Sequence, residues 1–169
     1  MDKKKSISTI EYYNTYADRY SEITRNADMS DIYKRFEEHL KPGSRILDLG
    51  CGSGRDSKYF LDKGYDVVSL DASEAMCRKT QELTGKEAVH KRIEDMNYEN
   101  EFDAVWACAS MLHVDKGDMI KIFAKVMKAL KIDGVFYASW KYGKGEQTRD
   151  DGRTFANYTE TKVCDMVYS

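Results

Sequence analysis

Proline is nearly missing from this chain: Pro42 is the only one in 169 residues, and Pro42-Gly43 marks where a core of alternating elements begins. Cysteine is sparse as well. Cys51, Cys77, Cys108 and Cys164 include no Cys-x-x-Cys pair, which argues against zinc, and no other metal constellation is evident. Long apolar runs are absent; the longest are strand-length, far short of the ~20 residues that cross a bilayer. Met1-Asp2-Lys3-Lys4-Lys5 leads into no apolar stretch, so no secretory signal is read. These absences point to a cytoplasmic protein with reduced, buried thiols and no membrane contact. Charge of one sign is lacking too. The formal net charge is −2, which gives no support to a nucleic-acid footprint, although a local basic patch stays open. What remains is one soluble globular domain with 41% hydrophobic and 33% charged residues.

From Arg45 onward helix and strand patterns alternate. Strands are expected at Arg45–Leu49, 66–70, 88–91 (short), Phe102–Ala107 and 135–140, the last entered through the Asp133-Gly134 turn. Helices are expected at 55–63, stopped by Gly64; from an N-cap at Ser73 to Gly85; and at 118–130, where Ile120, Phe123, Met127 and Leu130 recur at helical spacing. Strands separated by helices of this length pair in parallel through right-handed crossovers. The fold class is therefore α/β: a doubly wound, mostly parallel sheet of about five strands with helices on both faces. Ahead of it, residues 1–40 form a helical cap on a core of 41–169. Ser8 and Glu11 make a capping-box pattern, Tyr12, Tyr13, Tyr16 and Tyr20 follow on about one face, and a second helix spans 30–40 with Ile32, Phe36 and Leu40 in register.

The first strand runs into Gly50-Cys51-Gly52-Ser53-Gly54. Alternate glycines permit dihedrals closed to other residues and let a ligand approach the backbone. In a doubly wound sheet this turn lies at the carboxyl end of the central strand, where ligands bind. A dinucleotide fingerprint would place glycine at the sixth position, which here is Arg55, and no Gly-Lys-Ser/Thr follows for a P-loop. Asp48, just before the loop, suits a cationic amino-acid ligand. Asp71 ends the second strand 21 residues after Gly50, where an acid accepts hydrogen bonds from ribose hydroxyls. Met76 either covers an adenine face or packs in the core.

The segment Ile46-Leu47-Asp48-Leu49-Gly50-Cys51-Gly52-Ser53-Gly54, with Asp71 and Phe102-Asp103-Ala104-Val105-Trp106, resembles class I S-adenosylmethionine-dependent methyltransferases. Gly54-Arg55-Asp56-Ser57 and the run from Trp106 to Val114 resemble more closely the small bacterial type 11 and tellurite-resistance-like members. The resemblance implies S-adenosyl-L-methionine as cofactor, S-adenosyl-L-homocysteine as product and no metal. It implies that Gly50, Gly52 and Gly54, with Cys51 between them, pass under the methionine part and that Asp48 faces its amino end through water. Asp71 and the adjoining Ala72 take the ribose, with Met76 at the adenine. Arg92-Ile93-Glu94-Asp95 matches the adenine stretch; where the family often has an acid this chain has Arg92, so the contact falls to the Ile93 amide or the Glu94 side chain. Ala107 and Cys108 stand beside the sulfonium, and Tyr13, Tyr16 and Tyr20 close over the cofactor.

Methyl transfer from a sulfonium needs positioning more than acid–base help. His113 is the one catalytic candidate, and a structural role is the better reading of it. Cys108 is read as pocket wall. Tyr137, Trp140 and Tyr142 either line an acceptor pocket or pack; Arg149 and Arg153, in a polar loop 143–153, either meet an acidic acceptor or are solvated. Cys108-Ala109-Ser110-Met111 replaces the Asn/Asp-Pro-Pro-aromatic motif of base and amide methylation. A small-molecule acceptor leads, ahead of a non-catalytic cofactor binder and of an RNA or DNA methyltransferase. The resembled family has two further strands forming a hairpin. This chain ends in the helix that opens at Tyr158-Thr159-Glu160, so a fragment or a naturally short protein is expected, with the fifth strand as an edge open to self-association.

Overall fold

The computed structural model describes residues 3–168, with side chains from residue 9 to 168. In chain order its elements are helices α1 (Lys3–Thr15), α2 (Ala17–Thr24) and α3 (Ser30–Glu37), strand β1 (Arg45–Leu49), α4 (Arg55–Asp62), β2 (Asp66–Asp71), α5 (Glu74–Thr84), β3 (Val89–His90), β4 (Phe102–Ala107), α6 (Met119–Ala129), β5 (Leu130–Ala138), β6 (Glu146–Thr148), β7 (Thr154–Ala156) and α7 (Glu160–Val167).

The main sheet has the order β3-β2-β1-β4-β5 and all its pairs are parallel, Leu47 facing Val68 on one side and Val105 on the other. Strand direction of travel across the sheet reverses between β1 and β4, which opens a crevice at the carboxyl ends of the central strands. Period-two alternation decides what each face holds. Leu47, Leu49, Val105 and Ala107 point to the side of α6 and α7, packing on Ile122, Val126 and Met119. Ile46, Ala104 and Trp106 point to the side of α3 and α4, against Tyr33, Phe36 and Phe60. Trp106 is fully buried, with ring centroids of Tyr137, Phe36 and Phe60 at 4.1, 4.9 and 5.1 Å; each such pair stabilises by roughly 0.5–1.5 kcal/mol beyond its area.

The doubly wound α/β expectation therefore holds, including the Ser73 cap, whose hydroxyl accepts from the Met76 amide at 3.2 Å, and the left-handed Gly85 stop. Five local expectations differ. The fifth strand, expected at 135–140 after a turn at Asp133-Gly134, runs Leu130–Ala138 and holds that pair inside it, as an irregularity in its pairing with β4 where Asp133 takes a left-handed φ of 62°. Helix α1 starts at Lys3, upstream of Ser8, and the Ser8 side chain of the expected capping box lies outside the described residues. The tyrosine helix is two helices, broken at Tyr16 (φ −111°, ψ 24°). The helix expected to 40 stops at Glu37, and Tyr33 joins Phe36 in the core. The polar stretch 143–153 is not a plain loop: β6 and β7 pair antiparallel around it, Gln147 facing Phe155. Strand β5 forms one edge of the main sheet. Among the described residues no helix is long and apolar enough to cross a membrane.

Candidate functional site

A cleft enclosing about 780 Å³, counted to the solvent at its mouth, opens at the carboxyl ends of β1, β2 and β4. Its floor is Gly50 and Gly52 with Asp71, Ala72 and Ser73; Met76 stands on the α5 side and Arg92, Ile93 and Glu94 beside it. Cys108, Ala109 and Ser110 come from the turn after β4, with His113 and Val114 behind them. Thr9, Ile10, Tyr13 and Tyr20 cover it from the first two helices.

Asp71 organises the floor. Its Oδ2 accepts from the Gly52 amide at 2.9 Å and its Oδ1 from the Ser73 amide at 2.8 Å. A carboxylate oxygen has two lone pairs, so each keeps one for a further donor. Burial outweighs these bonds and raises the Asp71 pKa to about 6. The three loop glycines are all left-handed, but for different reasons. A Cβ on Gly50 would lie 2.2 Å from the Ser110 Cβ, and one on Gly54 would lie 2.9 Å from the Thr80 Cα. A Cβ on Gly52 would meet only Tyr20, at 3.8 Å, so it alone faces the free space of the cleft.

Asp48 does not line the cleft. It is 1% exposed on the α4 side of β1, where Ser57 Oγ donates to it at 2.5 Å and in turn meets Ser69 Oγ at 2.7 Å. Burial, then the Asp56 carboxylate, hold its pKa well above the ordinary range. An amino group in the cleft would not reach it directly. Cys51 is buried against Thr80, Gly54 packs on Thr80, Ala107 lies in the core, and Tyr16 is 47% exposed. These four, like Asp48, support the loop or cover rather than line the cleft. Thr9, Ile10, Ala109, Ser110 and Val114 carried no assigned role in the sequence, and Ser73 only that of a helix cap. The position of Ala109 and Ser110 just past a strand's carboxyl end was the signal available for them.

His113 is locked. Its Nδ1 lies 2.7 Å from the Thr154 carbonyl and its Nε2 2.8 Å from the Tyr13 hydroxyl. A carbonyl only accepts, so Nδ1 carries the proton; the neutral ring then accepts from Tyr13 at Nε2. Burial, with Arg153 and Lys141 adding to it, lowers the His113 pKa to about 4. The Thr154 amide donates to Thr9 Oγ1 at 3.1 Å, so α1, His113 and β7 form one bonded unit. At the other side Asn14 Oδ1 accepts from Ser73 Oγ at 2.7 Å, which fastens α1 to the start of α5. The Cys108 thiol is pushed up by burial and by Asp56, so it remains protonated. Among the described residues no His/Cys/Asp/Glu group could hold a metal.

A methyltransferase domain model matches residues 46–134. The Bacillus subtilis protein YqeM, which carries a provisional methyltransferase name, is 32% identical over 130 residues, 73% of this chain and 53% of its own length. This chain thus spans about half of that relative. The glycine/sarcosine/dimethylglycine N-methyltransferase of Actinopolyspora halophila is 35% identical over 104 residues, 56% of this chain and 18% of its own. Among solved structures, the Burkholderia thailandensis 1,6-didemethyltoxoflavin-N1-methyltransferase, held with its substrate and S-adenosylhomocysteine, superposes with a TM-score of 0.79 at 19% identity, covering 99% of this chain and 79% of that one. A TehB-like enzyme of Corynebacterium glutamicum gives 0.70 at 18% identity over 94% and 82%. These two likenesses are of fold.

Proposed function

The chain belongs to the methyltransferase domain family, and on that premise we propose that it transfers a methyl group from S-adenosylmethionine to a small-molecule acceptor. The observation that carries this reading is Asp71. Both its oxygens are anchored by backbone amides, both keep a lone pair, and they stand beside the one loop glycine that faces free space.

In this reading Asp71 receives the ribose hydroxyls and Gly52 gives room for the chain that joins the ribose to the amino acid. Met76 and Ile93 flank the adenine, with Glu94 or the Ile93 amide at its polar edge. Cys108, Ala109 and Ser110 bound the reacting end. When bound, S-adenosylmethionine supplies a methyl whose carbon–sulfur bond breaks as the acceptor's lone pair bonds to carbon, the electron pair staying on the neutral thioether. The protein therefore contributes position and exclusion of water. Tyr13 and Tyr20, packed edge to face at 5.1 Å, supply the cover. His113 offers no free lone pair and Cys108 no thiolate, so the acceptor arrives with its nucleophile already competent, such as a neutral amine or a stabilised anion. Residues 1–40 act as the cap on a core of 41–169, with α1 and α2 over the cleft and α3 packed against the sheet. Asp48 supports the loop from below and reaches the amino group only through water.

Calorimetry with S-adenosylhomocysteine tests the cofactor reading; absence of heat at high micromolar ligand sinks it. Turnover against a panel of small acceptors separates an enzyme from a binder. The reading also includes self-association along the outer edge of β5, since an unpaired strand is a pairing template; sedimentation that stays monomeric across a wide concentration range removes that part.

A further inference from the structure

The β6–β7 hairpin gathers three cations around one ring. Phe155 is 5% exposed, and around it stand Lys141 Nζ at 3.8 Å, Arg149 Cζ at 4.7 Å and Arg153 Cζ at 5.4 Å from the centroid. Arg153 is ion-paired to Asp151 at 2.6 Å and lies over Tyr12 at 4.0 Å. Lys141 and Arg149 are exposed, and among the described residues neither has a carboxylate within ion-pair distance. One cation suffices to cover an aromatic face. The second and third add like-charge repulsion, and after burial the fields of Arg149 and Arg153 push the Lys141 pKa down. Three positive groups against one carboxylate, in a chain whose net charge is −2, form a local basic patch with capacity for an anion.

The patch adjoins the cleft. The Phe155 ring touches His113 at 4.9 Å, and Arg153 lies 6.0 Å from the Tyr13 ring; both His113 and Tyr13 line the cleft. Lys141 follows β5 by three residues, past Ser139, whose Oγ accepts from the Ala109 amide at 2.8 Å beside the reacting end. We propose that the methyl acceptor carries a carboxylate or phosphate group, which docks on Lys141 and Arg149 beside Phe155 while its nucleophile enters the cleft past Tyr13 and His113. This rests on the methyl-transfer reading and adds the acceptor's class. Asp151 orders Arg153 and leaves the other two cations for the ligand.

The test is a titration of S-adenosylhomocysteine-loaded protein with sodium phosphate and, separately, sodium succinate at constant ionic strength, followed by amide chemical shifts. Saturable shifts concentrated on residues 139–156, with a millimolar dissociation constant for at least one anion, are expected. The Lys141→Gln/Arg149→Gln double variant should bind that anion at least tenfold more weakly and bind S-adenosylhomocysteine as the wild type does, which also shows that it is folded. The phosphate and succinate arms tell which oxyanion is preferred. No saturable response to either anion in the wild type, or the same constant in the double variant, overturns the acceptor class and leaves the cofactor reading standing. Failure to load with S-adenosylhomocysteine at all overturns the cofactor reading itself.

Discussion

Cofactor affinity should fall in acid, and Asp71 sets where. Ribose hydroxyls donate to a carboxylate, so only the ionised Asp71 offers acceptors on both oxygens. Its pKa in the free protein is about 6, raised by burial against the Gly52 and Ser73 amides. If the ionised form alone binds, the apparent dissociation constant scales as one plus the ratio of protonated to ionised carboxyl. That factor is close to one at about pH 7.5 and on the order of ten at about pH 5, or about 1.4 kcal/mol. The sign is definite: ligand bonds to the charged form lower the pKa from this raised value, so binding takes up no proton above the transition and releases one below it. Asp71→Asn should flatten the profile and weaken binding at all pH. Its amide NH2 would face one of the two backbone donors, which costs fold stability, and would leave the ribose one neutral acceptor in place of a two-oxygen anion, weakening binding by about 1.5–3 kcal/mol. Calorimetry with S-adenosylhomocysteine in buffers of different ionisation heat measures both the constant and the proton count. Equal affinity at the two pH values, or an Asp71→Asn variant with wild-type affinity, would refute the placement of the ribose.

The remaining predictions concern the loop and the core. Gly52→Ala should fold with a loss of about 1–2 kcal/mol for its left-handed backbone and lose cofactor affinity, whereas Gly50→Ala should lose much more stability because its Cβ would collide with Ser110 at 2.2 Å; urea unfolding beside calorimetry separates the two. Asp56→Ala removes the partner of Trp106 Nε1 (2.8 Å), Arg55 Nε (2.6 Å) and the Tyr33 hydroxyl, and should cost about 3–5 kcal/mol in urea unfolding by leaving Arg55 uncompensated. Asp48 has a folded pKa above its unfolded one, so the native state holds the extra proton and stability falls as pH rises from about 4 toward neutrality; Asp48→Asn should therefore gain on the wild type with rising pH, and parallel stability–pH curves would count against that burial.

The sheet was legible because its strands are buried on both faces. Ile46, Leu47 and Leu49, or Ala104, Val105 and Trp106, are apolar without alternation, as parallel strands between two helical layers require. Helix stops at Gly64 and Gly85 were legible for the same kind of local reason. The β6–β7 hairpin was not. Glu146, Gln147 and Thr148 are exposed polar residues with no alternating pattern, and what holds them is distant: Thr154 bonded to Thr9 and His113, and Phe155 under its cations. The break at Tyr16 also escaped, because four tyrosines at helical spacing look the same whether one or two helices carry them. Only the closure of Tyr13 and Tyr20 over the cleft, with Tyr16 turned outward, distinguishes the cases.

The candidate site shows a subtler limit. Gly50, Gly52 and Gly54 read alike in the sequence, as three positions kept open for a ligand. In the fold two of them are open for the protein itself: Gly50 so that the turn after β4 can close down on the loop, Gly54 so that α4 can start against Thr80 of α5. Asp48 follows the same logic. Its charge suggested a ligand contact, yet its side chain leaves β1 toward α4 because Leu47 and Leu49 take the opposite face, and period-two alternation leaves it no choice. Asp71 escapes this because it is the last residue of its strand, where the alternation ends and the crevice begins. In a parallel sheet, then, an acid inside a strand serves the layer it faces, and an acid at the strand's carboxyl end is free to serve a ligand. Ser139 and Lys141 lie past the carboxyl end of β5 in the same way, outside the alternation, in the stretch that leads to the proposed anion-docking patch.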